Sequence, residues 1–266
     1  MSTVDLDGVA LDYIEQGSGS PLVFVHGSVI DRRTWDQQID AFAERYRVVA
    51  YTRRHYHGSE DAAPKRSPSV TTAADDLIAV IERLGLAPAH LAGSSYGAFT
   101  ALLAAAKRPE LVRTLVLGEP PVGYLLVKPV WDQFFSAALE PAQASIRAGD
   151  LENGLRAFTD GVLGAGAFDV LPAPVRAIML DNASTLPIEA DPLEVFAEVE
   201  AARVTMPVLL VTGAQSPPMF GQITNRLQRL LPHAESVEIP AASHAMHGDN
   251  APAYNAVVLE FLSRHS

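Results

Sequence analysis

Gly93-Ser94-Ser95-Tyr96-Gly97 joins a stretch predicted to be a β-strand, 89–92, to a stretch predicted to be an α-helix, 97–107. In a G-x-S-x-G turn of this kind the central serine has a strained backbone conformation, and its hydroxyl is exposed. Glycine is needed on both sides because chain segments approach closely there, and the helix N-terminus favours developing negative charge. The pattern predicts that Ser95 is a nucleophile; an ordinary glycine-rich turn is the alternative.

Apolar runs and helix-like stretches alternate on both sides of this turn. Such alternation is typical of βαβ crossovers and of a mostly parallel sheet covered by helices on both faces. Thr71 or Thr72 is expected to cap one of the helices, which ends at Gly85. We predict strands at 9–16, 22–26, 47–51, 89–92, 114–117, 207–211 and 235–239, and helices at 35–45, 71–85, 97–107, 219–231 and 250–263.

The alternation stops at Glu119-Pro120-Pro121 and resumes near residue 204. We interpret residues 121–203 as a helical lid, or cap domain, inserted into a core domain formed by 1–120 and 204–266. Only helix-like segments are predicted within it, at 130–147, 151–163, 173–183 and 192–202.

The composition indicates a globular protein with a large core. Of its 266 residues, 48% are hydrophobic and none is cysteine, which excludes disulfides, thiolate nucleophiles and cysteine-ligated metals. The net charge of −11 disfavours nucleic acid and anionic membrane surfaces as partners. No apolar run approaches the ~18 residues of a membrane span, and the N-terminal residues lack the basic region of a signal peptide. We therefore expect a cytoplasmic protein.

A serine hydroxyl needs a base to become a good nucleophile. Eight histidines are present, and His244 lies between the last predicted strand and the last predicted helix. His247 is three residues further along, so the residues alone leave both histidines as candidates.

These pieces together resemble the α/β-hydrolase fold superfamily along nearly the full chain. The matching segments are Val25-His26-Gly27-Ser28, the turn at 93–97, the arginine-rich stretch 50–59 and Ala242-Ser243-His244-Ala245-Met246-His247. The resemblance implies an α/β-hydrolase fold, with a mostly parallel sheet flanked by helices and a helical lid insertion.

The resemblance also implies roles for individual residues. The resemblance makes the first histidine of the motif Ala242-Ser243-His244-Ala245-Met246-His247 the catalytic one, so His244 is the predicted base in preference to His247. The oxyanion hole would consist of the backbone N–H groups of Tyr96 and Ser28.

The catalytic acid departs from the family pattern. Where the family has Gly-x-x-Asp, this chain has Gly213-Ala214-Gln215-Ser216, and no Asp or Glu occurs from 204 to 234. We predict Glu119 instead, because it follows the strand after the Ser95 helix and emerges at the same edge of the sheet. Gly118-Glu119-Pro120-Pro121 is similar to the corresponding strand end of the zearalenone lactonases. Asp249 is the reserve candidate.

The second departure is Thr52-Arg53-Arg54-His55-Tyr56-His57-Gly58-Ser59, where the family usually has a glycine-rich turn. We predict that His55 and Tyr56 line the substrate cleft together with His26, and His57 is a further candidate; solvent exposure is the alternative. The pairs His55-x-His57 and His244-x-x-His247 could together hold zinc. Since the serine turn accounts for the site without metal, we predict no metal and no cofactor.

The predicted lid is apolar and aromatic, and Trp131, Phe134 and Phe135 are expected to contact the substrate. We therefore predict a hydrolase that cleaves a neutral, hydrophobic ester or lactone through a Ser-His-Glu triad and an acyl-enzyme. A cofactor-independent lyase, cyclase or C–C bond hydrolase, with Ser95 and His244 as acid and base, is the alternative. A ligand receptor without activity is a third, and the sequence leaves monomer and homodimer open.

Overall fold

A mixed β-sheet forms the centre of the computed structural model, which describes residues 2–61, 68–189, 196 and 198–266. Within those ranges the sheet has nine strands in the order β1-β2-β4-β3-β6-β7-β8-β9, with β5 also paired to β2. The strands are β1 (Ser2–Asp5), β2 (Val9–Gln16), β3 (Ser20–Val25), β4 (Tyr46–Tyr51), β5 (Glu60–Asp61), β6 (Ala89–Ser94), β7 (Val112–Gly118), β8 (Val208–Gly213) and β9 (Glu235–Ile239). The six strands β4, β3, β6, β7, β8 and β9 run parallel to one another. Strand β2 is antiparallel to its partners β1, β4 and β5.

Helices cover both faces of the sheet, which confirms the predicted fold class. No helix in the described part of the chain is both long and apolar enough to cross a membrane. The helices are α1 (Asp36–Ala43), α2 (Val70–Arg83), α3 (Tyr96–Lys107), α4 (Lys128–Phe134), α5 (Glu140–Arg147), α6 (Leu151–Leu163), α7 (Ala167–Val170), α8 (Ala173–Asn182), α9 (Glu198–Ala201), α10 (Pro218–Leu230), α11 (Met246–Asp249) and α12 (Ala251–Ser263).

Alternate side chains of the interior strands enter two separate cores. In β3, Val23 and Val25 pack into the core under α2, α3 and α10, whereas Leu22 and Phe24 pack into the core under α1 and α12. Strand side chains alternate between faces, so an interior parallel strand must be apolar on both sides. This is why the short apolar runs could be predicted as strands.

The edge of the sheet and one helix cap differ from the sequence-based expectation. We did not predict β1 and β5, which both pair with β2. The cap of α2 is Ser69, whose Oγ accepts a hydrogen bond from the N–H of Thr72 at 3.0 Å. The expectation that Thr71 or Thr72 is the cap is therefore wrong.

Between β7 and β8 the described chain is helical, and we call residues 121–203 the inserted segment. The helix predicted at 130–147 is interrupted by a π-helical turn, Phe135–Leu139. Pro141 provides the reason, since proline lacks the N–H that a continuous helix would use and clashes with the preceding turn. Of the helix predicted at 192–202, residues 192–195 and 197 lie outside the described residues, and Glu198–Ala201 is helical.

Candidate active site

The carboxyl ends of six parallel strands meet at one edge of the sheet, where ligands of open α/β sheets usually bind. Ser28 follows β3, Ser95 follows β6 and Glu119 follows β7. His244 lies in the loop that follows β9. The strand order thus brings together residues that are far apart in sequence.

Ser95 occupies a sharp turn between β6 and α3. Its φ of 52° and ψ of −124° are strained for a residue with a side chain. A Cβ on Gly97 would lie 2.1 Å from the Val25 carbonyl oxygen, and a Cβ on Gly93 would lie 2.6 Å from the Ala98 backbone. Both contacts are far shorter than van der Waals distance, so a side chain at either position would force the backbone segments apart.

The imidazole of His244 is hydrogen-bonded to the Glu119 carboxylate, with 2.6 Å between Nδ1 and Oε2. Both side chains are almost completely buried. Because an ionised carboxylate only accepts hydrogen bonds, Nδ1 of His244 must carry the proton. In the neutral imidazole with its proton on Nδ1, Nε2 is the nitrogen that can act as a base.

Backbone geometry directs the Glu119 side chain toward the histidine. Glu119 has a φ of +44°, and its N–H donates to the Val211 carbonyl at 3.2 Å. Its Oε1 accepts a hydrogen bond from the N–H of Gly213 at 3.0 Å. The last residue of β8, three positions before the place where the family pattern has its carboxylate, therefore contributes a backbone donor to Glu119.

Phe220, at the start of α10, stacks on the His244 ring with 3.9 Å between centroids and 13° between planes. The stacking and the Glu119 hydrogen bond together fix the orientation of the imidazole. We did not predict this contact, because no local motif relates Phe220 to His244.

The two reserve candidates have other partners. Nε2 of His247 lies 2.9 Å from Thr34 Oγ1, its ring packs on Trp35, and burial lowers its pKa to about 4. Asp249 accepts hydrogen bonds from the N–H and the Oγ of Ser243 at 2.8 and 2.5 Å. His247 is therefore part of the core, and Asp249 stabilises its own loop.

Two cavities meet at Ser95, and Ser28 lines both of them. The first cavity has a volume of about 370 Å³ and the second about 220 Å³. The first is lined by Tyr96, Trp131, Phe134, Phe135, Met219 and Phe220, among others. The second is lined by Val29, Ile30, Val175, Met179, His244 and His247, among others.

The predicted substrate-binding residues fall into two groups. Trp131, Phe134 and Phe135 line the first cavity. His26, in contrast, is completely buried, and its Nε2 accepts a hydrogen bond from the N–H of Arg53 at 2.9 Å. The prediction that His26 contacts substrate is therefore wrong, because its ring is enclosed by protein atoms.

The loop 52–59 also differs from the prediction. Tyr56 is buried, and its hydroxyl donates to the Glu189 carboxylate. His55 and Tyr56 line a separate space of only about 30 Å³, so neither contacts the cavities at Ser95 directly. His57 is exposed.

Glu189 also belongs to the candidate site, although no sequence pattern indicates it. It lines the first cavity and forms an ion pair with Arg53, with 2.8 Å between Oε1 and Nη2. Its position depends on how the inserted segment packs on the core, which no local pattern describes. No cluster of three or more potential metal ligands occurs among the residues that the structure describes.

Comparison with known proteins gives likenesses over nearly the whole chain. The model of the alpha/beta hydrolase family matches residues 22–257. The chain is 28% identical over 257 residues to the 2-(acetamidomethylene)succinate hydrolase of Mesorhizobium japonicum, a match covering 91% of this chain and 87% of that protein.

Solved structures show the same architecture. An alpha/beta hydrolase from Sphaerobacter thermophilus has a TM-score of 0.78 and 27% identity, covering 98% of this chain and 100% of that one. The enol-lactonase of Burkholderia xenovorans has a TM-score of 0.78, 21% identity and the same coverage, and this likeness concerns the fold alone.

Proposed function

Because this chain belongs to the alpha/beta hydrolase family, and is thus a hydrolase of the alpha/beta type, we propose that it is a serine hydrolase acting on a neutral, hydrophobic ester or lactone. The observation that carries the proposal is the His244–Glu119 hydrogen bond beside a cavity that Ser95 also lines. Ser95 is the nucleophile, His244 the base and Glu119 the acid that orients it.

Acylation begins when Nε2 of His244 takes the proton of the Ser95 hydroxyl. Oγ of Ser95 forms a bond with the substrate carbonyl carbon, and the carbonyl oxygen becomes negatively charged. The backbone N–H groups of Tyr96 and Ser28 stabilise this oxyanion. The bond to the leaving oxygen then breaks, and that oxygen takes the proton from His244.

Deacylation repeats these steps with water. His244 removes a proton from water, whose oxygen attacks the acyl carbon. When the acyl–Oγ bond breaks, Ser95 recovers a proton from His244, and the acid product leaves. In a lactone, both product groups remain on one molecule.

The inserted segment acts as a cap that selects the substrate. Trp131, Phe134 and Phe135 give the first cavity an apolar wall, which favours an uncharged, bulky group beside the scissile bond. The smaller second cavity takes the other side of the ester. Burial of apolar substrate surface contributes about 25 cal/mol per Å².

A second candidate function is a cofactor-independent lyase, cyclase or C–C bond hydrolase that uses Ser95 and His244 as acid and base. The favouring observation is Arg147, which lines the first cavity together with Glu189 and mainly apolar residues and would attract a carboxylate. The relative from Mesorhizobium japonicum is named for a substituted succinate. Turnover of substituted succinates without turnover of any ester would favour this candidate.

Labelling with a fluorophosphonate probe, located by mass spectrometry, tests the proposal. We expect modification on Ser95 alone. Ser95→Ala should abolish labelling and lower aryl-ester turnover at least about 10³-fold, whereas Ser263→Ala, at an exposed site in α12, should change neither. A folded protein that is not labelled would contradict the serine-hydrolase proposal.

A further inference from the structure

Arg53 is a buried cation beside the proposed oxyanion hole. Its guanidinium donates to four oxygens: the carbonyl of His26 at 3.1 Å, the carbonyl of Gly27 at 2.9 Å, Oε1 of Glu189 at 2.8 Å and the hydroxyl of Tyr56 at 2.7 Å. Only 5% of the Arg53 side chain is exposed. The proposed catalytic steps do not use this residue.

The Gly27 carbonyl belongs to the same peptide unit as the N–H of Ser28, which is one of the two proposed oxyanion donors. A cation bound to the oxygen of a planar peptide withdraws electrons from the amide and makes its N–H a stronger donor. It also fixes the plane of the peptide and hence the direction of the N–H. Arg53 can therefore influence the oxyanion without contacting it.

The Gly27 carbonyl also accepts a second hydrogen bond, from the ring of His26. His26 Nε2 accepts from the Arg53 N–H, so Nδ1 carries the ring proton and donates to Gly27 O at 2.9 Å. Burial and the Arg53 charge lower the pKa of His26 to about 3, which keeps the ring neutral. This explains why a histidine precedes Gly27 although it does not face the substrate.

Arg53 also contacts the residue of the other proposed donor. Its guanidinium carbon lies 4.6 Å from the centre of the Tyr96 ring and 4.6 Å from that of Tyr56. Such cation–π contacts are stronger when both groups are buried. Arg53 thus contacts the peptide of one proposed oxyanion donor, Ser28, and the side chain of the other, Tyr96.

Glu189 holds this cation in place from the inserted segment. A buried cation is costly unless it is paired, and Glu189 provides the carboxylate that balances it. Burial raises the pKa of Tyr56, so its hydroxyl stays protonated and donates to Glu189, while it accepts from Arg53 Nη2 at 2.7 Å.

We propose that Arg53 is a positioning residue that orients and polarises the Gly27–Ser28 peptide toward the oxyanion, and that Glu189 of the inserted segment holds it there. This inference rests on the proposed serine-hydrolase function. It connects placement of the inserted segment with the strength of the oxyanion hole.

The test compares Arg53→Gln and Glu189→Gln with Arg54→Gln. Arg54 is the matched control, because it forms an equally buried ion pair with Asp76 from the same loop. The substrates are para-nitrophenyl butyrate and its thiono analogue, in which the negative charge develops on sulfur, a weaker hydrogen-bond acceptor. Folding of each variant is checked by circular dichroism.

We expect Arg53→Gln to lower kcat for the oxygen ester about 10- to 100-fold with little change in KM. The thiono ester should lose much less, so the oxygen-to-sulfur rate ratio falls. Glu189→Gln should also lower kcat for the oxygen ester and the oxygen-to-sulfur rate ratio, each by a smaller factor. Arg54→Gln should leave the ratio unchanged.

Equal losses on both esters, a change in KM alone, or equal behaviour of Arg53→Gln and Arg54→Gln would overturn the inference. If Arg53→Gln does not fold, the oxygen-to-sulfur rate ratio is measured for Arg53→Lys and Glu189→Gln instead, and an unchanged ratio in both would overturn the inference. Absence of Ser95-dependent turnover in the unsubstituted enzyme would overturn the proposed function as well, so the two failures are distinguishable.

Discussion

Both carboxylate oxygens of Glu119 are engaged, one by the Gly213 N–H and the other by His244. The side chain is fully buried, so no water can replace either partner without rearrangement. A buried acceptor with two fixed donors determines which nitrogen of the imidazole carries the proton. This makes Glu119 sensitive even to an isosteric substitution.

Glu119→Gln should lower kcat about 10⁴-fold, the factor for the equivalent change in the serine-protease triad, while the protein remains folded. An amide whose oxygen accepts from Gly213 presents its NH₂ group to His244. Nδ1 must then accept, so the ring proton moves to Nε2, which can no longer take the proton of Ser95. Steady-state kinetics with an aryl ester measure the effect.

Asp249→Asn is the control, because Asp249 bonds to Ser243 and not to His244. We expect this variant to keep kcat within about threefold of the unsubstituted enzyme, since surface substitutions usually have small effects. The opposite pattern, with a large loss only in Asp249→Asn, would move the catalytic acid to Asp249.

At the scale of elements, the strand–turn–helix unit around Ser95 depends on backbone contact between β3 and α3. The Gly97 position has no room for a Cβ beside Val25 and His26 carbonyls at 2.1 and 2.4 Å. Gly221, in α10, also lies in a helix, but a Cβ there would meet nothing within 4 Å. The two glycines therefore form a matched pair for a stability test.

Gly97→Ala should lower the free energy of unfolding by about 3 kcal/mol, because the clash is with backbone that cannot rotate away. Gly221→Ala should raise it by up to about 1 kcal/mol, since alanine favours a helix interior. Urea denaturation of both variants measures the difference. Equal stability of the two variants would contradict the close approach of β3 and α3.

Elements with a strong local pattern were predictable, and elements defined by distant contacts were not. The interior strands are apolar on both faces, so their sequences alone identify them. β1 and β5 exist because β2 has an edge available for pairing, which their own residues do not encode. The π-helical turn before Pro141 similarly depends on how one helix continues past a proline.

At the scale of the whole molecule, the same distinction applies to the candidate site. The position of Glu119 could be inferred because parallel strands end at one edge of the sheet and the usual acid was missing. Phe220 and Glu189 could not be inferred, since they reach His244 and Arg53 only through the packing of α10 and the inserted segment. Topology predicts where strand ends meet; it does not predict which side chains of an insertion fill the space above them.

In this acidic protein, burial keeps three of the histidines neutral: His26, His90 and His247. Burial lowers the pKa of His26 to about 3 and that of His90 and His247 to about 4, against 6.5 in an unfolded chain. Between pH 4 and 6.5 the unfolded state therefore binds more protons at these sites than the folded state. By linkage, stability rises with pH in this window and is lost as the pH falls through it.

Each such histidine should contribute a slope of about 1.4 kcal/mol per pH unit to the free energy of unfolding between pH 4 and 6.5. His247→Gln removes one titrating group, so its slope should be smaller by about that amount, while His57→Gln, which changes an exposed side chain, should keep the original slope. Urea denaturation at several pH values from 4.5 to 7.5 measures all three proteins. Because carboxylates contribute equally to each, identical slopes for His247→Gln and the unsubstituted protein would show that His247 titrates alike in the folded and unfolded states.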